Sequence, residues 1–431
     1  MTTRAGIIVT GTEVLTGRVT DRNGPWLAEQ LRIAGVDVAH VVVVGDRPRD
    51  LREALVFLAG TGVDLIITTG GLGPTADDLT AQVVAEFQGR PTAVDEALER
   101  HIASIIERLG AGRGWRLNPQ ATAAATRKQA MVPDGAGVLD PIGTAPGLVV
   151  PVADGRSGAP VVVLPGPPRE LQPMWPAALE HPAVRAALAH REELRQRTIR
   201  LWGTAESELA ALLREQGAGL DGLEITTCLR EGELEIVTRL APAAQSAYDE
   251  LERVVVAAFP AAVFSTDART VDDVVADTLL ERGLTIATAE SCTAGLLAGR
   301  LTDRAGSSAY VLGGLVVYSN QAKHDLADVA SALIERVGAV SEEVAVALAA
   351  GARARLGTDI GVGITGIAGP GGGGADKPVG LVHFCVSSTE RALSRRVVIP
   401  GSRADVRARA VVVALHLVRE LLEPQLQSCP T

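Results

Sequence analysis

The stretch Thr285–Gly299, TIATAESCTAGLLAG, decides how the second half of the chain is read. Its opening residues are apolar or β-branched, as in a buried strand, and its closing residues are small and helix-forming. Between them stand Glu290, Ser291, Cys292 and Thr293, a polar and reactive cluster at the strand-to-helix junction. Two readings are open. Ser291 or Thr293 caps the helix by satisfying its first N–H groups. Alternatively, a hydroxyl or thiol at a helix start serves as a nucleophile, with free N–H groups to hold an oxyanion.

Working outward, 271–283 and 294–303 read as helices around the strand 284–291. A strand at 313–319, a helix at 341–357, strands at 359–369, 380–388 and 390–401, and a last helix at 402–422 follow. The first part has the same rhythm: strands at 5–11, 36–45, 63–71 and 160–171 alternate with helices at 23–35 and 48–60. Near-continuous apolar strands between helices predict a parallel sheet covered on both faces. Between these parts, 223–240 (LEITTCLREGELEIVTRL) reads as a hairpin, with a strand at 197–203 and helices at 205–217 and 243–259. The expected fold class is α/β: two α/β domains with mainly parallel sheets, 1–175 and 263–425, joined by a small α+β domain, 176–262. That middle domain shows no active-site signature and reads as a spacer or dimer-forming module, so a homodimer is the expected assembly.

Composition narrows the class. The net charge is −10, and no dense Lys/Arg run appears, which argues against nucleic acid or an acidic membrane as partner. No apolar run approaches the roughly 18 residues of a membrane span. The opening MTTRAGIIVTG enters a strand at once and lacks the layout of a signal peptide. Cysteines 228, 292, 385 and 429 have no metal-like spacing and imply no disulfide framework, so a cytoplasmic location is expected. Of 41 basic residues only Lys128, Lys323 and Lys377 are lysines. Arg stays charged, whereas a buried Lys can lose its proton.

Ser291 ends a buried strand, where open α/β sheets bind ligands. Tyr318 and Lys323 lie at the end of another, in GGLVVYSNQAKHD (313–325). A lysine with lowered pKa can act as the base for a serine, and a tyrosine can relay the proton. Each also has a plain reading, as a strand aromatic and a solvated helix start. The loop GITGIAGPGGGGADKPVG (363–380) follows a third strand. Thr365 to Pro370 reads as a ligand loop, Gly371 to Gly374 as a surface loop, and Lys377 as a phosphate partner or a loop fastener.

AESCTAG, LTDRAGSSAYVLGGLVVYSNQAK, GAVSEEVA and TGIAGPGGGGADKPVG together closely resemble the CinA C-terminal, or nicotinamide-nucleotide amidase, family. The resemblance implies hydrolysis of nicotinamide mononucleotide (NMN) to nicotinate mononucleotide and ammonia, with no cofactor. It places a Ser–Tyr–Lys set on Ser291, Tyr318 and Lys323. Substrate contacts are then expected from Glu290, Cys292, Thr293, Thr365, Gly366, Ala368, Gly369 and Lys377. Cys292 is the rival nucleophile or a small buried filler. Ala294 stands where the family usually has glycine.

In the first domain, TTGGLGPTADDLT (68–80) ends a buried strand and opens a helix. Its glycines permit close approach of an anion. Asp77 and Asp78 either cap the helix or hold a divalent cation that bridges to a phosphate. Other polar groups gather at strand ends: Thr10 to Glu13, Asp21, Asn23, Gly143 to Gly147, and Leu164 to Glu170. GGLGPTADDLT and IGTAPG with VVVLPGPPREL resemble the MoaB/MogA-like molybdopterin-binding domain of full-length CinA proteins. That resemblance implies a metal-dependent ADP-ribose pyrophosphatase, or binding of a related nucleotide. Glu13, Asn23, Gly70, Gly71, Gly73, Thr75, Gly143, Thr144, Pro165 and Gly166 are the expected nucleotide and phosphate contacts, and Asp77 and Asp78 the expected ligands of Mg2+ or a similar cation. Thr126 and Asp140 stand where the family pattern has Asn. The non-enzymatic alternative is a nucleotide-binding or scaffold protein linked to competence or DNA damage.

Overall fold

The computed structural model describes residues 3–113, 118–191 and 194–423. The chain divides into two compact units, Met1–Arg195 and Gln196–Thr431.

The first unit is built on a six-stranded sheet in the order Asp37–Val44, Arg4–Thr10, Leu65–Thr69, Val161–Leu164, Gly147–Val150, Gly137–Leu139. The first four strands are parallel and the last two join as an antiparallel edge, so this sheet is mixed. Successive residues of the interior strand Arg4–Thr10, Ile7 and Ile8, face separate cores on its two sides, as the pleat requires. The outer strand Asp37–Val44 is only half-buried, because an edge strand has one neighbour. The expected boundary at 175 falls within the helix Pro168–Glu180. Met174, Trp175, Ala178, Val184 and Leu188 pack into the first unit's core, which moves the division to 195.

In the second unit, Leu223–Arg230 and Glu233–Leu240 form the expected hairpin. Its two turn residues, Glu231 and Gly232, both have positive φ, the signature of a tight primed turn. These strands continue through Arg195–Trp202 to Val263–Ser265 as a four-stranded sheet. A five-stranded sheet follows, ordered Val311–Val316, Ile286–Glu290, Ile360–Gly366, Leu381–Ser387, Ala392–Val398. Its first three strands are parallel and its last two antiparallel. Helices Val271–Arg282 and Arg403–Leu422 share its core on one face, and Glu342–Leu356 covers the other. The two sheets belong to one compact unit, within which the four-stranded sheet keeps an apolar core of its own around Ile199, Leu234, Ile236 and Leu251. Residues 424–425 of the expected last domain, and Cys429, lie outside the described residues.

Candidate functional sites

Three strand ends build the site of the second unit. Ile286–Glu290 is fully buried between two parallel neighbours. Pairing runs one residue further: Ser291 N donates to Ile364 O at 2.9 Å, and Val317 N donates to Glu290 O at 2.8 Å. Ser291, Tyr318 and the glycine loop after Gly366 therefore share the C-terminal edge of the sheet, where a doubly covered α/β sheet leaves room for a ligand.

The Ser291 loop is clamped from within. Glu290 is wholly buried, and its carboxylate accepts from Gly295 N (3.0 Å), Leu297 N (3.1 Å), Ala298 N (2.8 Å) and Thr288 Oγ1 (3.0 Å). It thus satisfies the first amides of the helix Leu296–Thr302, the capping role that the sequence suggested for Ser291 or Thr293. The Ser291 hydroxyl makes no hydrogen bond among the described residues. The Glu290 and Thr293 side chains have no exposed surface and frame the site from within. Burial pushes the Cys292 thiol up to about 11, which keeps it protonated at neutral pH and makes it a poor nucleophile. Ala294 has φ 50, a left-handed backbone that an L side chain adopts at a cost of about 1–2 kcal/mol.

Lys323 lies in the helix Asn320–Ala327, whose Ser319 cap accepts from Ala322 N. Only 2% of Lys323 is exposed, and its Nζ donates to Val317 O (3.1 Å) and Tyr318 O (3.3 Å). Among the described residues it has no carboxylate partner. Burial holds its pKa below the ordinary lysine value, with the Cys292 sulfur acting weakly the other way. Burial therefore acts in the direction that a lysine base requires. Tyr318 behaves differently: 60% of it is exposed, and its hydroxyl accepts from Arg403 Nη2 at 3.2 Å with no bond to Ser291 or Lys323.

The glycine loop also departs from expectation. Thr365 is buried and donates to Ala339 O at 2.7 Å, and Ala368 belongs to the hydrophobic core. Gly369 O accepts from Arg403 Nη1 at 2.9 Å. Lys377 Nζ donates to Val337 O (2.9 Å) and Val340 O (2.7 Å), so it fastens the loop. Gly366 is half-buried and turns the chain out of the strand, while Gly371 to Gly374 form the expected exposed turn.

Two site residues were missed. Arg407 reaches from the last helix to Cys292 O (Nε, 3.0 Å) and Thr293 O (Nη2, 3.0 Å). Arg403, one turn earlier, links Tyr318 to Gly369. The sequence signal was present as an i, i+4 arginine pair in SRADVRARA at a helix start.

In the first unit, a cavity of about 420 Å³ opens at the strand ends and is lined by Thr10, Glu13, Gly70, Gly71, Gly73, Thr75, Asp77, Asp78, Thr144, Pro165 and Gly166. Gly70 and Gly71 have positive φ, and a Cβ on either would lie 2.4 Å from Thr10 O or 2.1 Å from Thr80 Oγ1. Asp78 accepts from Thr75 N (2.8 Å), and the Thr75 hydroxyl lies 2.6 Å from Asp77 and 2.5 Å from Asp78. That hydroxyl, with Lys128 nearby, lowers the Asp77 pKa. Lys128 itself bonds the Thr75 carbonyl. Among the described residues no group of three or more His, Cys, Asp or Glu is placed to hold a metal alone. Two carboxylates on one turn still fit a hard cation whose other ligands are phosphate and water. Asn23 is buried and not in the cavity lining; its amide nitrogen donates to Thr69 Oγ1 (2.9 Å) and Gly166 O (2.6 Å), joining two strand ends. Gly143 lines an adjoining cavity with Glu170. Asp46 and Gln129 line the main cavity and were missed; Asp46 follows a strand at the same sheet edge, which the strand-end rule could have found.

These two units, a MoaB-like α/β domain and a CinA-type α/β domain, define the class. Residues 6–186 match the family described as probable molybdopterin binding domain, and 268–422 match CinA C-terminal domain. The chain belongs to the CinA family: it is 58% identical over 427 residues to a CinA-like protein of Mycolicibacterium gilvum, covering 98% of this chain and 99% of that one. A CinA-like protein of Mycobacterium tuberculosis is 54% identical, with 97% of each covered. Among solved structures, the competence/damage inducible protein CihA of Agrobacterium tumefaciens is 38% identical, covering 37% of this chain and 100% of that one, with a TM-score of 0.35. CinA of Thermoplasma acidophilum, a protein with unknown function, is 30% identical, covering 42% of this chain and 96% of that one, with a TM-score of 0.34. No helix among the described residues is long and apolar enough to cross a membrane.

Proposed function

We propose that the second unit is an amidohydrolase acting on NMN. The observation that carries this reading is Lys323: buried, free of any carboxylate partner among the described residues, lowered in pKa, and bonded to the end of the strand that neighbours the Ser291 strand. Ser291 Oγ attacks the carboxamide carbon while its proton passes to Lys323. The tetrahedral oxyanion is held by main-chain N–H groups around Cys292 and Thr293. The proton returns to the nitrogen, ammonia leaves, and water cleaves the acyl-enzyme to nicotinate mononucleotide, restoring the serine. Arg403 and Arg407 hold the loops around the reacting centre. Ammonia release from NMN in the presence of EDTA, measured for the wild type beside Ser291→Ala, tests the reading; equal release from both sinks it.

The cavity of the first unit favours a second activity, cleavage of the ADP-ribose diphosphate. Asp77 and Asp78 would hold a divalent cation such as Mg2+, which neutralises diphosphate charge when bound, and the glycine loop would cradle the phosphates through its N–H groups. A homodimer in the cytoplasm completes the proposal. Sedimentation at micromolar protein reads the assembly.

A further inference from the structure

The hairpin 223–240 was read from sequence as part of a spacer. Its tip instead touches both helices that frame the Ser291 loop. Glu231 Oε2 accepts from Arg300 Nη1 at 3.0 Å. Arg300 lies in the helix Leu296–Thr302, which begins where the Ser291 loop ends, and its other nitrogens grip Asp272 at 2.8 and 2.9 Å. Two residues beyond Glu231, Glu233 Oε1 pairs with His416 Nε2 at 2.7 Å. His416 is wholly buried in the helix Arg403–Leu422, the same helix whose Arg407 holds Cys292 O and Thr293 O. The His416 ring stacks on Trp202 at 4.1 Å and meets Phe264 edge-on at 4.8 Å. Trp202 and Phe264 belong to the same four-stranded sheet as the hairpin.

Glu231 occupies its place against a local preference. Its φ is 53, a left-handed conformation in which Gly, Asn or Asp is the usual residue of a tight hairpin turn. A carboxylate at this position reaches Arg300, which glycine cannot do.

We propose that Glu231 and Glu233 are positioning residues for the Ser291 site, the hairpin tip setting the spacing between helices 296–302 and 403–422. The inference rests on the amidase reading for its catalytic consequence. One tie holds the last turn of the short helix that follows the loop, and the other holds the helix that grips the loop's carbonyls. Ser291 and its N–H groups are then placed from both sides, and small displacements of a reacting group cost rate steeply.

Glu231→Gly in the full-length chain is the decisive variant, because it removes the carboxylate while relieving the backbone conformation. Its thermal midpoint is expected to hold or rise. Amide exchange across 291–299 is expected to quicken about tenfold, as local opening becomes easier. kcat for NMN is expected to fall about tenfold with KM changed less than about twofold, because alignment and not binding is lost. Glu231→Gln, which keeps an acceptor for Arg300, is expected to restore most of kcat. If the wild type releases no ammonia, the amidase reading fails and the exchange measurement alone decides this inference. Unchanged exchange at 291–299, or a kcat within about twofold of an active wild type, overturns it.

Discussion

Arg407 Nε donates to Cys292 O at 3.0 Å across 115 positions of sequence, and its Nη2 takes the next carbonyl, Thr293 O, also at 3.0 Å. Two consecutive carbonyls turned toward one guanidinium restrict the peptide planes beside Ser291. Hydrogen bonds to a charged group contribute about 1.5–3 kcal/mol each, less where solvent reaches them. Arg407→Ala should therefore lower stability by about 2 kcal/mol and NMN turnover by one to two orders of magnitude, about the effect of misaligning a reacting group. Arg407→Lys, which cannot span both carbonyls, should recover stability more than turnover. Urea unfolding and steady-state kinetics on the same samples separate the two effects.

Lys323 sets a pH dependence with a defined sign. Its folded pKa lies below the ordinary 10.5, so between those values the unfolded chain binds more protons than the native one. Stability relative to Lys323→Met should rise with pH through that window and flatten above it. Ammonia release should climb as pH rises through the folded pKa, at the lower edge of that window, and level off above it as the amine becomes neutral. Lys323→Arg keeps the charge but loses the acceptor, and should cost about 10²–10⁴ in rate. Wild-type activity in that variant would remove Lys323 as the base.

Ala294 at φ 50 offers a simple stability test. Glycine there removes about 1–2 kcal/mol of left-handed strain and returns roughly 0.4–1 kcal/mol as unfolded-chain entropy. Ala294→Gly should raise stability by about 0.5–1 kcal/mol, a shift readable by denaturant titration.

Cysteine chemistry separates the two candidate nucleophiles. Cys228 is exposed, whereas Cys292 is buried with its thiol pushed up to about 11. Iodoacetamide at pH 7.5, mapped by mass spectrometry, should label Cys228 well before Cys292. Cys292→Ala should retain ammonia release; its loss, in a folded protein, would return the thiol to contention.

The first unit is tested apart from the second. Thr75 and Lys128 keep the Asp77 carboxylate ionised below the usual carboxylate range. Metal-dependent ADP-ribose cleavage should thus persist on the acid side as far as Asp77 is concerned. Asp78→Ala should abolish that cleavage and leave NMN hydrolysis intact. Loss of both activities together would contradict separate sites.

Much of this architecture was legible along the chain. Strand and helix periodicity located the parallel strands, the hairpin and the final helix, because burial on one or two faces imposes a period of 2 or 3.6. Motif spacing placed Ser291, Tyr318 and Lys323 at neighbouring strand ends, since parallel strands in an α/β sheet deliver their C-termini to one edge. The lysine shortage was informative too: Lys128, Lys323 and Lys377 each donate to main-chain carbonyls.

Tertiary structure decided which polar residue does which work. Thr365, Lys377 and Asn23 looked like ligand contacts but bond to main-chain or side-chain partners far away in sequence, and Glu290 clamps the amides of its own loop and helix. Arg403 and Arg407 carried no sequence expectation beyond their place in the last helix, yet that helix lies against the Ser291 edge. The sequence by itself determined most of the buried strands, several helices, the family and the motif residues, for these depend on local periodicity and spacing, whereas helices such as Glu96–Arg113 and Pro119–Gln129 were not read. Only the folded chain determined that Glu290 caps the helix, that burial leaves Lys323 without a counter-charge, and that a hairpin tip grips two helices. Burial and long-range hydrogen bonding exist only once distant segments are packed together.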